Sequence, residues 1–285
     1  MEVLIGNLCG FCPGVEYTVK KAEEALKENK MIYCLGEIVH NERVIAKLQD
    51  MGMITVKSVD DIPNNSKVIF RAHGEAKSIY ERAKQKGLEV IDLTCGKVRI
   101  IHDLVEKQKE SFIIIIGKKT HPETIGTKGF AKQDSFVIET EDDIVSAYEA
   151  YKRSKLNQIY IVEQTTFSKE LFKELVNKIK DVFNESNITV ENTICDATEK
   201  RQTEVMELSK KTNKMIIIGG KQSSNTKELY NIAINNCKEV YLIQEPEEIK
   251  NVRFNNDDIV GIMTGASTPK EIVEEVKQYL KWEEN

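Results

Sequence analysis

A strand–helix pattern that runs three times along the chain constrains this fold more than any other feature. From Cys12, helical spacing (Val15, Val19, Ala22, Leu26) leads to a strand, Met31 to Leu35, ending at Gly36-Glu37-Ile38-Val39-His40-Asn41. A helix with Val44 and Leu48, a strand Met53 to Val56 and Asp60-Asp61-Ile62-Pro63 follow. Strand Val68 to Phe70 opens into Ala72-His73-Gly74, and a helix around Ile79 and Ala83 and a strand at Val90-Ile91 bring the chain to Cys95. The order then recurs: helix Val98 to Val105, strand Phe112 to Ile116, Gly117 to Glu123, strand Phe136 to Ile138, Glu141-Asp142-Asp143-Ile144, strand Ile159 to Val162, Gln164-Thr165-Thr166, helix Leu171 to Phe183, strand Ile188 to Val190 and Cys195. A third pass runs through strand Met215 to Ile218, Gly220 to Asn225, strand Val240 to Ile243, strand Ile259 to Met263, Gly265-Ala266-Ser267 and helix Ile272 to Leu280. It lacks a closing strand, which Val3-Leu4-Ile5 is expected to supply.

Alternating strands and helices predict an α/β fold: three units related by approximate three-fold symmetry, with small, mainly parallel sheets around a central site. The expected units are residues 1–95 (with 1–12 completing the third unit), 96–192 and 193–285. In such sheets ligands gather at the carboxyl ends of strands. The distinctive residues fall there: Cys12, Cys95 and Cys195; then His40, His121 and Ser224, each four residues after a glycine; then His73, Thr165 and Ser267. A repeated core explains repeated apolar residues, but not polar residues at matching strand ends.

Composition narrows the function. The 285 residues carry a formal net charge of -5, with Lys and Arg scattered rather than clustered, which argues against a nucleic-acid surface. The start of the chain lacks the basic and apolar segments of a signal peptide, and the longest apolar run, Phe112 to Ile116, is strand-sized, so a cytoplasmic protein with no membrane span is expected. Cysteines there stay reduced. Cys12, Cys95 and Cys195 each lie between a strand and a helix, where free N–H groups and the helix dipole favour an anionic sulfur. Three such donors suit an iron–sulfur cluster with one position left open. Cys9, in Cys9-x-x-Cys12, has no counterpart in the other copies; Cys34 and Cys237 read as packing residues.

His40, His73, His121, Ser223, Ser224, Asn225 and Ser267, with several helix N-termini, form a set of donors with little fixed positive charge, suited to phosphate. Serine also caps helices, so Ser223-Ser224-Asn225 serves either purpose. His121-Pro122-Glu123 joins an imidazole to a carboxylate; the matching positions are expected at Glu42, after Asn41, and Thr226, after Asn225. A carboxyl in a water-poor site holds a raised pKa and delivers protons. Thr165 and Thr166 would pass a proton, hold a hydroxyl, or cap a helix.

Taken in order, Gly10-Phe11-Cys12, Val39-His40-Asn41, Ala72-His73-Gly74, Thr94-Cys95, His121-Pro122-Glu123, Gln164-Thr165-Thr166-Phe167-Ser168, Cys195, Ser223-Ser224-Asn225 and Gly265-Ala266-Ser267 resemble the 4-hydroxy-3-methylbut-2-enyl diphosphate reductases over essentially the whole chain. The resemblance implies one 4Fe–4S cluster on Cys12, Cys95 and Cys195, with the fourth iron open to the C4 hydroxyl of an allylic diphosphate. Two electrons and protons then remove that hydroxyl as water, giving isopentenyl and dimethylallyl diphosphates. It implies Glu123 as proton source, His121 and Thr165 beside the hydroxyl, and His40, His73, Ser223, Ser224, Asn225 and Ser267 on the diphosphate. A flavodoxin or ferredoxin is the implied electron donor. Departures from the family pattern are Gly96 where proline is common, Arg71 where a small residue is common, and Cys9. The competing readings are another three-fold iron–sulfur enzyme of the quinolinate synthase type, and a zinc-binding or thiol-sensing scaffold using Cys9 and Cys12.

Overall fold

The computed structural model describes residues 1–184 and 187–282. Residues 185–186 of the second expected unit and 283–285 of the third lie outside the described residues. In chain order the elements are β1 (Glu2–Ile5), α1 (Pro13–Glu28), β2 (Ile32–Leu35), α2 (Glu42–Asp50), β3 (Met53–Val56), β4 (Lys67–Phe70), α3 (Lys77–Gln85), β5 (Glu89–Asp92), α4 (Gly96–Lys107), β6 (Ser111–Ile116), α5 (Pro122–Lys128) and β7 (Ser135–Ile138). They continue with α6 (Asp143–Ser154), β8 (Gln158–Glu163), α7 (Lys169–Val182), β9 (Asn187–Val190), α8 (Asp196–Ser209), β10 (Lys214–Ile218), α9 (Ser224–Ile234), β11 (Glu239–Ile243), β12 (Ile259–Thr264) and α10 (Glu271–Trp282).

Every strand pairing is parallel, and the strands form three four-stranded sheets ordered β3-β2-β4-β5, β7-β6-β8-β9 and β11-β10-β12-β1. The order is the same in each: second, first, third and fourth strand of its own repeat, with β1 in the fourth place of the last sheet. Parallel strands need crossover helices, and these cover both faces. In β6 the consequence is plain. Phe112, Ile114 and Ile116 pack with α6 and α7 residues such as Tyr151 and Ile179, whereas Ile113 and Ile115 pack with Ile101 and Val105 of α4. All five are buried, and each contributes roughly 2 kcal/mol on leaving water.

The chain groups into two compact units. One comprises Met1–Val19, Val39–Lys47 and Asp196–Asn285 and holds the β11-β10-β12-β1 sheet; the other comprises Lys20–Ile38 and Leu48–Cys195 and holds the other two sheets. The repeats differ at one place. Val59–Asp61 and Pro246–Ile249 are single 3₁₀ turns, whereas Glu141-Asp142-Asp143-Ile144 opens the full helix α6. Ile144, Ala147 and Tyr151 recur at helical spacing and are buried, while Pro63 and the left-handed Asn65 (φ 60°) stop any such helix in the first repeat.

Candidate active site

The three cysteines have matching seats. The N–H of Cys12 donates to Ala266 O (3.0 Å), that of Cys95 to Ala72 O (3.0 Å) and that of Cys195 to Thr165 O (3.1 Å), each acceptor lying two residues past the end of the third strand of its sheet. Each cysteine directly precedes a helix, and Cys12 Sγ accepts the N–H of Val15 at 3.4 Å. All three cysteines are partly exposed. Soft donors so placed fit an iron–sulfur group, which takes cysteine ligands. Cys9 is different: it packs among the apolar clusters, its Sγ faces Ile262 O at 3.7 Å, and burial pushes its pKa to about 11. Burial among apolar side chains thus keeps Cys9 a thiol rather than an anionic sulfur. Cys34 is fully buried in β2.

Backbone bonds correct the register read from spacing. The glycines whose N–H meets the last carbonyl of the neighbouring strand are Gly36, Gly117 and Gly219, not Gly220. The counterpart of His121 is therefore Ser223 rather than Ser224. Helix caps agree in two repeats, where His121 Nδ1 accepts Glu123 N–H (3.2 Å) and Ser223 Oγ accepts Thr226 N–H (3.3 Å); in the first repeat the cap falls one residue past His40, where Asn41 Oδ1 accepts Val44 N–H (3.1 Å). Two residues past His121 and Ser223 stand Glu123 and Asn225, so the expected counterpart Thr226 is one residue off, whereas counting from Gly36 keeps Glu42. Thr165 likewise matches Ala72 and Ala266, since these three carbonyls receive the cysteines; Thr166, not Thr165, matches His73 and Ser267. Spacing misled because the third repeat has two adjacent glycines. A Cβ on Gly220 would come within 2.1 Å of His40 O, so the second glycine serves a close approach rather than the strand end.

In the unit holding Lys20–Ile38 and Leu48–Cys195, Thr165 grips Glu123 twice: its N–H donates to Oε1 (2.6 Å) and its hydroxyl to Oε2 (2.7 Å). Glu123 is only 2% exposed, and burial raises its pKa to about 7 against the lowering effect of both threonine bonds. His121 is buried, and the His73 ring stands perpendicular to it with centroids 5.3 Å apart. Because Thr165 O also receives Cys195 and Ala72 O receives Cys95, the structure brings Cys95, Cys195, His73, His121, Glu123 and Thr165 onto neighbouring loops. His102 is not among them: it stacks on Phe130 (4.3 Å), lies under Gly74, and burial lowers its pKa to about 4.

The other unit carries Cys12, His40, Ser223, Ser224, Asn225 and Ser267. Ser267 Oγ donates to His40 O at 3.3 Å, and Gly220 abuts the same carbonyl, so these segments meet. Arg43 fixes the His40 loop through Glu245 (2.7 Å) and Glu275 (2.8 Å). Asn225 is 3% exposed, yet both its amide oxygen and nitrogen lack partners among the described residues. Such a group costs free energy until a ligand satisfies it, which suits an anion seat at the start of α9.

Two residues that the sequence reading passed over support these loops. Gln164 Oε1 accepts Lys118 N–H (3.0 Å) and its Nε2 donates to Thr166 (2.9 Å), fixing the turn before His121. Arg201, on the buried face of α8, donates to Gly10 O (2.9 Å). The available signal for Arg201 was a basic residue four positions before Val205 on an apolar helix face.

A family model described as LytB protein matches residues 3–281. Among curated proteins the chain is similar to the 4-hydroxy-3-methylbut-2-enyl diphosphate reductases of Petrotoga mobilis (35% identical, 99% of this chain and 98% of the relative) and Clostridioides difficile (37%, 99% of each). Among solved structures it is similar to the E-1-hydroxy-2-methyl-but-2-enyl-4-diphosphate reductase of Plasmodium falciparum, with TM-score 0.89, 31% identity, and 98% of this chain and 88% of that chain covered. A structure described as (E)-4-hydroxy-3-methyl-but-2-enyl diphosphate reductase, the terminal enzyme of the non-mevalonate pathway, gives TM-score 0.70 and 37% identity over 99% of this chain and 100% of that chain.

Proposed function

The chain belongs to the LytB protein family, and from that premise we propose that it removes the C4 hydroxyl of 4-hydroxy-3-methylbut-2-enyl diphosphate as water, with two electrons and two protons, giving isopentenyl and dimethylallyl diphosphates. The observation that carries this reading is the Glu123–Thr165 pair. The third repeat has Asn225 and Ala266 at the positions of Glu123 and Thr165, so it offers neither the carboxyl nor the hydroxyl of this pair. A reaction that expels water needs a proton at one defined place, and a buried acid with a pKa of about 7 still carries one in about half of the molecules at neutral pH.

Cys12, Cys95 and Cys195 would hold one 4Fe–4S cluster per chain, which when bound would supply the electrons for the reduction. Glu123 delivers the proton. His121 fixes the first turn of α5 by accepting the Glu123 N–H, and the Thr165 hydroxyl, on Glu123 Oε2, holds or passes the proton. His40, His73, Ser223, Ser224, Asn225 and Ser267 bind the diphosphate, and the unpartnered Asn225 amide supports that role. Electrons come from a flavodoxin- or ferredoxin-type donor in the cytoplasm. Among the described residues no helix is long and apolar enough to cross a membrane.

The test is anaerobic purification and Mössbauer spectroscopy with and without the allylic diphosphate. One iron of four that differs and responds to substrate is the expected result, lost in Cys195→Ser. Colourless protein, or irons indifferent to the diphosphate, would reject the reading.

A further inference from the structure

Six residues after each cysteine the repeats diverge: Thr18, Ile101 and Arg201. All three side chains are buried, but only one is a cation. Arg201, 3% exposed, donates through Nη2 to Gly10 O (2.9 Å) and through Nη1 to Ala197 O (3.2 Å). Gly10 lies two residues before Cys12, and Ala197 two residues after Cys195. Gly10 itself has a φ of +107°, and its N–H is held by Thr264 Oγ1 at 2.8 Å. One turn along α8, Glu204 takes the N–H groups of Asn7 (2.6 Å) and Leu8 (3.0 Å). The same helix therefore grips the β1–α1 loop at two levels.

Packing alone does not call for a guanidinium here. Ile101 fills the matching place in the second repeat, and an apolar side chain avoids the cost of burying a charge. The planar fork of arginine, however, reaches two carbonyls at once, which neither lysine nor an aliphatic side chain does. Its field also reaches the loop, where it opposes the burial that raises the Cys9 thiol.

We propose that Arg201 is a positioning residue for the metal group: it ties the segment before Cys12 to the helical turn after Cys195, and its buried charge favours the electron-rich state of that group. This rests on the reading of Cys12, Cys95 and Cys195 as ligands. Partners that orient metal ligands are commonly worth about 10–100-fold in metal affinity.

The experiment compares wild type, Arg201→Lys and Arg201→Gln, purified anaerobically, for the rate of iron release to a chelator, the reduction potential, and far-ultraviolet circular dichroism of the iron-free chains. Arg201→Lys, which keeps the charge but not the two-carbonyl reach, is expected to release iron about tenfold faster or more with an unchanged potential. Arg201→Gln is expected to release iron at least as fast and to show a lower potential, because a cation that favours reduction is gone. A purely structural arginine would leave the potential of both variants alone. If Arg201→Gln does not fold, Arg201→Lys decides through its release rate. Wild-type release from Arg201→Lys, or an Arg201→Lys chain that is unfolded without iron, overturns the inference alone. A wild-type chain that holds no iron overturns it together with the proposed function.

Discussion

Between pH 4.5 and about 7 the folded chain keeps a proton on Glu123 that the unfolded chain has released, because burial outweighs the two Thr165 bonds. The raised pKa stabilises the fold fully below pH 4.5, and the contribution is lost as pH rises through about 7. The difference amounts to about 3 kcal/mol. Glu123→Gln has no such titration, so its stability relative to wild type should grow across that interval, as measured by denaturant unfolding at several pH values. In turnover the sign is the same: the wild-type rate should fall as pH rises through the Glu123 pKa. Glu123→Gln should bind cluster and substrate yet lose most of its rate at every pH. A variant that turns over at near wild-type speed would remove Glu123 as the proton source. The carboxylate itself was legible from His121-Pro122-Glu123. Its threonine partner was not paired with it in sequence, because the two residues are 42 positions apart and meet only through parallel pairing of β6 with β8.

At the level of elements, helix starts do most of the positioning. His121, Ser223 and Asn41 cap α5, α9 and α2, and the cysteines stand at the starts of α1, α4 and α8. Gly96, the first residue of α4, is a weak point in this scheme. A Cβ there would meet nothing within 4 Å, and Cys95 sits at φ -55°, ψ 136°, a conformation that a following proline accepts. The first helical N–H has no acceptor within its helix, so proline loses little. Gly96→Ala and Gly96→Pro should each stabilise the chain by about 0.5–1 kcal/mol by restricting the unfolded state. A melting temperature below wild type for both would show that Cys95 needs the glycine. The strands were readable from runs such as Phe112 to Ile116, buried on both faces. Helix α6 was not, since its acidic opening looks like the turns that the other repeats place there.

For the molecule as a whole, the decisive strand is the first. β1 pairs with β12 through Glu2 to Ile5, and Val3 and Ile5 pack into the cluster that includes Val273 and Val276 of α10. Removing residues 1–6 would uncover the edge of β12 and that apolar face, leaving an open template for association. Such a chain should aggregate on size-exclusion chromatography. A monomer with wild-type melting would show that β1 is dispensable. The sequence alone determined the repeat and the α/β class and marked the candidate residues for the chemistry, because burial on parallel strands imposes a short, local periodicity and strand ends are marked by glycine, histidine and cysteine. Only the tertiary structure decided which residues are equivalent. That depends on which carbonyl each loop N–H reaches across a sheet, and a one-residue shift, as at Gly219 and Gly220, leaves no trace in the apolar pattern. It also decided that the Glu123 carboxyl has a raised pKa, which is set by the loss of water around it.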